Sequence, residues 1–269
     1  MIPTKEDNAS APVTPDEIAE DAERCVQAGA STVHVHARDE EGRPTYRLDV
    51  YAEIVAKVRE RCPGVIVCVS TSGRVFKKFE ERSEVLDLPE DLKPEMASLT
   101  LGSLNFPREA SVNEPTMITA LAERMAERGI VPELEVFDLG MVDYARYLGE
   151  RGILRPPFYF NLLLGSLGTL SASALHMALL ARALPEGSTW AGAGIGRFQF
   201  AANAMAIASG GHVRVGLEDN LWLDAEKQRP ATNVALVERL VTLARACERE
   251  IATPDQARAQ IGLPARVLA

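Results

Sequence analysis

Several kinds of protein are excluded by what this sequence lacks. Its four cysteines, Cys25, Cys62, Cys68 and Cys247, are scattered and form no CxxC pair. That pattern speaks for reduced, buried thiols and against a disulfide framework. No apolar run approaches the ~20 residues of a membrane-spanning helix. The opening Met1-Ile2-Pro3-Thr4-Lys5-Glu6-Asp7 has no apolar stretch of the kind that directs secretion. A cytoplasmic protein with no membrane partner is therefore expected. Positive charge is also in short supply: 29 Lys and Arg stand against 38 Asp and Glu, a net −9. With no basic patch, a nucleic-acid partner is excluded. Histidine is rare too, at four residues, yet two of the four stand two apart in Ser31-Thr32-Val33-His34-Val35-His36-Ala37-Arg38-Asp39.

Otherwise the composition is that of an ordinary globular enzyme, 46% apolar and 25% charged over 269 residues, long enough to bury a sizeable core. β-rich apolar runs at Thr32–Ala37, Val65–Ser70, Met96–Leu101, Glu133–Phe137, Phe158–Leu163, Thr189–Ala193 and Val213–Leu217 alternate with helical patterns. The first helix opens at Thr14-Pro15-Asp16-Glu17, with Thr as N-cap and Pro in the first turn, and stops at Gly29. Others are expected near Tyr51–Cys62, Glu114–Arg128, Met141–Gly149, Ala172–Ala183, Phe198–Ser209 and Asn233–Glu248, with a short capped helix from Thr253 to Leu263. Strand–helix alternation every ~30 residues predicts βα units and a parallel sheet. No linker divides the chain, so residues 1–269 read as one domain with a C-terminal helical tail. Candidate chemistry lies at five strand C-ends: His34/His36, Ser70, Thr100, Glu135 and Glu218. Chemistry gathered from many strand ends suits the mouth of a (β/α)₈ TIM barrel better than the single switch point of an open sheet.

Side chains at i and i+2 on a strand share a face, so His34 and His36 can offer two nitrogens to one metal; a pair of satisfied polar residues at a strand end is the competing explanation. In Gly210-Gly211-His212-Val213-Arg214-Val215-Gly216-Leu217-Glu218-Asp219-Asn220, period-2 alternation puts Arg214, Gly216 and Glu218 on one face. Glu218 would complete a His₂Glu set with an open position, a frequent catalytic zinc arrangement, unless Glu218-Asp219 merely forms a turn and helix cap. His176, inside an Ala/Leu-rich helix, is poorly placed as a ligand. Arg214 and Asp219 can pair, either as a plain buried salt bridge or to keep Asp219 ionised as a base beside a polarised carbonyl. The hydroxyls and glycine of Val67-Cys68-Val69-Ser70-Thr71-Ser72-Gly73-Arg74 can grip a carboxylate through Ser70, Thr71 and the Gly73 backbone, or simply make a turn. Glu133 and Glu135 share a strand face, where acids need a metal, a cation or a substrate amine. Gly192-Ala193-Gly194-Ile195-Gly196-Arg197 lacks the third glycine of a dinucleotide loop and is not one; it can pack strand on helix or bind the phosphates of a CoA.

With these motifs in order, nearly the whole chain resembles the β-keto acid cleavage enzymes. Pro12-Val13-Thr14-Pro15-Asp16-Glu17, the HxH run, Gly42-Arg43-Pro44, Val69-Ser70-Thr71-Ser72-Gly73, Leu92–Leu99, Gly102–Phe106, Pro132–Phe137, Ala193–Arg197 and Arg214–Asn220 carry the likeness. The resemblance implies a zinc-binding barrel, usually a homotetramer, that condenses a β-keto acid with acetyl-CoA to give acetoacetate and a new acyl-CoA. It assigns zinc to His34, His36 and Glu218, and enolate formation to Asp219 with Arg214. It assigns substrate contacts to Ser70, to Ser98 in place of a family threonine, and to Glu135; Thr71, Gly73 and Thr100 join that list on position. A CoA-independent metal aldolase or hydrolase, or a non-catalytic metal-binding barrel, is the alternative. Two departures stand out. The chain begins where the family's first strand should end, so a barrel lacking most of strand one is expected; a start placed too far downstream would account for it. An aminohexanoate-cleaving member has a glutamate near that strand where this chain has Ile2, which points to another β-keto acid.

Overall fold

The computed structural model describes residues 3–106 and 109–265; Ile2 lies outside them. In chain order the elements of the first half are α1 (Pro15–Ala28), β1 (Thr32–Val35), α2 (Leu48–Arg61), β2 (Ile66–Val69), α3 (Phe79–Ser83), β3 (Met96–Thr100), β4 (Leu104–Asn105), β5 (Ala110–Ser111) and α4 (Pro115–Arg128). The second half holds β6 (Val131–Val136), α5 (Leu139–Glu150), β7 (Tyr159–Leu164), α6 (Ala174–Ala183), β8 (Thr189–Gly194), α7 (Gln199–Ala208), β9 (His212–Val213), α8 (Asn233–Ala246) and α9 (Pro254–Ile261). Seven strands form one sheet in the order β1-β2-β3-β6-β7-β8-β9. Every neighbouring pair is parallel. The sheet curls into an incomplete TIM-like barrel with helices outside, the α/β architecture that the strand–helix alternation predicts. No helix of the described residues is long and apolar enough to cross a membrane.

Burial on both faces explains the near-continuous apolar strands. All four residues of β2 are buried. Val65, Val67 and Val69 belong to the main core with Val55 and Val58 of α2, whereas Ile66 and Cys68 cluster with Met96 and with Ala257, Ile261 and Leu263. The last three come from α9 and its exit. The C-terminal helix therefore plugs the barrel at the N-terminal ends of the strands. Arg258, 3% exposed, fixes it there through a 2.9 Å bond to Glu95. At α1 the predicted start and stop are present: Thr14 and Glu17 form a capping box, and Gly29 ends the helix at φ +121°.

Among the described residues β1 and β9 do not pair. Outside this seam α1 packs on α8. At the mouth, the Asn8 side-chain amide donates to the carbonyls of Leu221 (3.1 Å) and Ala231 (2.9 Å), and Arg38 donates to the carbonyl of Pro3 at 2.7 Å. The N-terminal segment thus ties the two edges together.

The final strand departs from the expected Val213–Leu217. β9 covers only His212–Val213, after which the chain turns, with the amides of Asp219 and Asn220 both donating to the Gly216 carbonyl at 3.1 Å. Glu218 consequently meets Arg214 through a turn rather than along a strand. Helix α2 begins at Leu48, earlier than its apolar spacing suggests, because the Glu84 carboxylate accepts the Leu48 amide at 2.9 Å, a cap supplied from elsewhere in the chain.

Candidate active site

The parallel register brings the end of β1 against β2 (His34 opposite Cys68) and β3 against β6 (Ser98 opposite Glu133, Thr100 opposite Glu135). The polar residues of these strands therefore reach one side of the barrel interior, where Arg214 and Glu218 join them. The ring centroids of His34 and His36 are 5.0 Å apart. Ligand atoms of His34, His36 and Glu218 all lie within 4.8 Å of one another. His36 Nε2 is 3.1 Å from Glu218 Oε2 but misaligned for a hydrogen bond, so this buried ring nitrogen is without a hydrogen-bond partner among the described residues. Burial dominates at His36 and holds its pKa below the ordinary value despite the Glu218 charge. A neutral, unpartnered imidazole beside a carboxylate is the form in which histidine ligates a metal.

Arg214 is the electrostatic centre. Its guanidinium lies 2.9 Å from Glu135, 2.9 Å from Glu218, 3.3 Å from Asp219 and 3.5 Å from Glu133. Burial works against its charge, but these four carboxylates together hold it well above the ordinary arginine value. Burial likewise pushes Glu218 up, and is outweighed by His36 and Arg214, which hold it well below the usual carboxylate range. Four carboxylates against one guanidinium leave a formal excess of three negative charges in a poorly solvated place. Uncompensated buried charge is costly, and a divalent cation between the two imidazoles and Glu218 would offset it. The donor set, two neutral nitrogens and a carboxylate, fits such an ion.

The remaining predicted residues divide. Ser70, Thr71, Arg214 and Asp219 line one cavity of about 420 Å³ together with His34, His36 and Glu218; Gly73, Ser98, Thr100 and Glu135 do not. Ser98 Oγ accepts the Thr71 amide at 3.1 Å, and Thr100 donates to Glu135 at 2.7 Å. These hydroxyls brace neighbours. Gly73 is a packing necessity: a Cβ there would lie 2.7 Å from the Val112 carbonyl and 2.6 Å from Arg82 Nη1. Asn161, opposite Glu135 in β7 and fully buried, has neither amide atom hydrogen-bonded among the described residues. No spacing or motif around Asn161 points to such a position.

Glu133 makes a contact with the candidate ligand His34 that spacing alone did not reveal. Its carboxylate is 2.7 Å from His34 Nδ1. Burial opposes a charged ring at His34, yet Glu133 outweighs it and the His34 pKa lies above the ordinary value. With Nδ1 engaged, Nε2 is the nitrogen left for a metal, and carboxylates of this kind raise ligand basicity and fix the tautomer. Glu133→Gln is expected to weaken divalent-metal binding by about 10–100-fold, read by competition against a chromogenic chelator. Unchanged affinity would remove Glu133 from the site. A signal was present in the sequence, since Glu133 and Glu135 alternate on one strand face, but the partner of each depends on register.

Comparison with known proteins finds relatives over nearly the whole chain. A family model described as "beta-keto acid cleavage enzyme" matches residues 1–263. The chain is 44% identical to a protein of Fusobacterium nucleatum subsp. nucleatum named 3-keto-5-aminohexanoate cleavage enzyme, over 97% of this chain and 93% of that one. It is 36% identical to a Cupriavidus necator protein named 3-oxoadipate:acetyl-CoA acetyltransferase, over 98% of this chain and 92% of that one. Among solved structures, a ternary complex of ObcA with C4-CoA adduct and oxalate superposes with a TM-score of 0.81 at 25% identity, covering 94% of this chain and 68% of that chain.

Proposed function

The chain belongs to the beta-keto acid cleavage enzyme family, and from that premise we propose that it is an acyltransferase joining a β-keto acid to acetyl-CoA, with acetoacetate and a new acyl-CoA as products. The observation that carries this reading is the meeting, at one mouth, of His34, His36 and Glu218 with the Arg214–Asp219 pair. His34, His36 and Glu218 are the residues that would hold a divalent ion, zinc by their donor set, and such an ion would supply Lewis-acid polarisation of a 3-keto oxygen. Asp219, positioned by Arg214, takes a proton from C2 between the keto and carboxylate groups. The resulting carbanion attacks the acetyl-CoA carbonyl, forming a carbon–carbon bond and releasing CoA thiolate. That thiolate attacks the original 3-keto carbon, the C2–C3 bond breaks, C2 regains the proton, and acetoacetate and acyl-CoA leave. Ser70, which lines the cavity, is the hydroxyl offered to the substrate carboxylate, because the Thr71 hydroxyl is already donated to the Ser98 carbonyl.

A homotetrameric, cytoplasmic enzyme completes the reading. Leu175 and Leu179, exposed on α6 at 67% and 42%, supply apolar surface for subunit contact, and the buried free thiols of Cys25, Cys62 and Cys68 suit a reducing compartment. The test is product profiling: the enzyme is incubated with acetyl-CoA and a panel of β-keto acids, and the CoA pool is analysed by mass spectrometry. Acetoacetate and a matching acyl-CoA are expected in equal amounts. Cleavage of a β-keto acid without acetyl-CoA would overturn the assignment in favour of an aldolase or hydrolase.

A further inference from the structure

Five arginines and no lysine line the cavity among the described residues. Four are committed. Arg214 is surrounded by carboxylates; Arg38 donates to the carbonyls of Pro3 and Gly42; Arg82 donates to the Thr71 carbonyl and to Asn113; Arg249 donates to the carbonyls of Ile207 and Gly210. Arg74 is different. Its guanidinium lies over the Phe106 ring at 4.0 Å, its Nε is buried without a hydrogen-bond partner, and no carboxylate of the described residues pairs with it. It is near enough to disfavour a proton on His36. A guanidinium stacked by one face on an aromatic ring keeps its N–H edge for a planar, two-oxygen acceptor.

The same loop already holds a separate means of gripping a carboxylate. Ser70 Oγ accepts the Ser72 amide at 3.2 Å and Ser72 Oγ accepts the Arg74 amide at 3.3 Å. Each hydroxyl therefore retains its own O–H to donate, and both residues line the cavity. Tyr46 and Phe76, packed edge to face at 4.9 Å, add apolar surface to the same cavity. A cavity with one hydroxyl pair, apolar surface and one uncommitted cation matches a short chain carrying an anion at each end.

We propose that Arg74 reads a second, distal carboxylate, so that the preferred substrates are short 3-oxo dicarboxylic acids. This rests on the acyltransferase reading above and names the substrate class for it. The experiment measures CoA-thioester formation at saturating acetyl-CoA from 3-oxoadipate (anionic tail), 3-oxohexanoate (neutral) and 5-amino-3-oxohexanoate (cationic), for the native enzyme and for Arg74→Met and Arg74→Lys. The native enzyme is expected to favour the dicarboxylate over the neutral acid by about tenfold or more in kcat/KM, because a site built to pair an anion rejects an analogue lacking it. Arg74→Met should cut that ratio by about tenfold or more, chiefly through KM, and Arg74→Lys should restore part of it. Equal losses on both acids would overturn the proposal by making Arg74 a contact to the shared carboxylate. A raised KM for acetyl-CoA alone would overturn it in favour of a CoA phosphate contact. Turnover of the acids in the native enzyme without preference for the dicarboxylate would overturn it while leaving the acyltransferase reading intact. No thioester from any acid would overturn both.

Discussion

Glu218→Gln is expected to leave the folded protein nearly devoid of bound divalent metal and to lower turnover by about 10²–10⁴-fold, the effect of losing several kcal/mol of carbonyl polarisation. The amide matches the carboxylate in shape and can still accept from Arg214 Nη2, which lies 2.9 Å from Oε2 in the native protein, so the fold has little reason to change. What disappears is the only charged member of the ligand trio. An imidazole contributes no charge when it ligates a metal, and burial already favours that neutral form at His36. Metal content by elemental mass spectrometry and kcat on the same preparation decide the matter. A variant with full metal and full turnover would refute the ligand assignment.

Asp219→Asn should separate the base from the metal. The expected outcome is a fall in kcat of about 10²–10⁴-fold, the range that general-base catalysis contributes, with metal content unchanged. Asp219 is 3% exposed, its backbone carbonyl accepts the Gly196 amide at 2.7 Å, and its side chain meets Arg214 Nε at 3.3 Å. An amide of equal volume keeps those backbone ties and can still accept from Nε, but it cannot take up a proton. A kcat within tenfold of the native enzyme would assign proton abstraction elsewhere, Glu135 being the next carboxylate on the same guanidinium.

The strand–helix rhythm was legible because both periodicities are strong here: β2 is apolar on every residue, and α1 carries Thr14, Pro15 and Gly29 as explicit start and stop signals. His34 and His36 were legible because a period of two needs no tertiary knowledge. Other features were not. Helix α2 starts where Glu84 caps it, 36 residues away in sequence. Period-two alternation puts Glu218 beside Arg214 along a strand, whereas the strand stops at Val213 and a turn at Gly216 returns the acid to Arg214. The pairing of Glu133 with His34, and the commitment of Thr100 to Glu135, depend on the stagger between strands. Local patterning does not encode stagger; the closed core selects it.

The edges of β1 and β9, unpaired among the described residues, have a consequence for the chamber behind them. The cavity that holds His34, His36 and Glu218 is also lined by Cys25 of α1, by Val237 and Leu240 of α8 and by Ala257 and Ile261 of α9, so part of its wall is made of helices rather than of a strand. A helical wall can change its side chains without breaking a ladder of backbone bonds, so the chamber's depth is adjustable there independently of the polar groups at its rim.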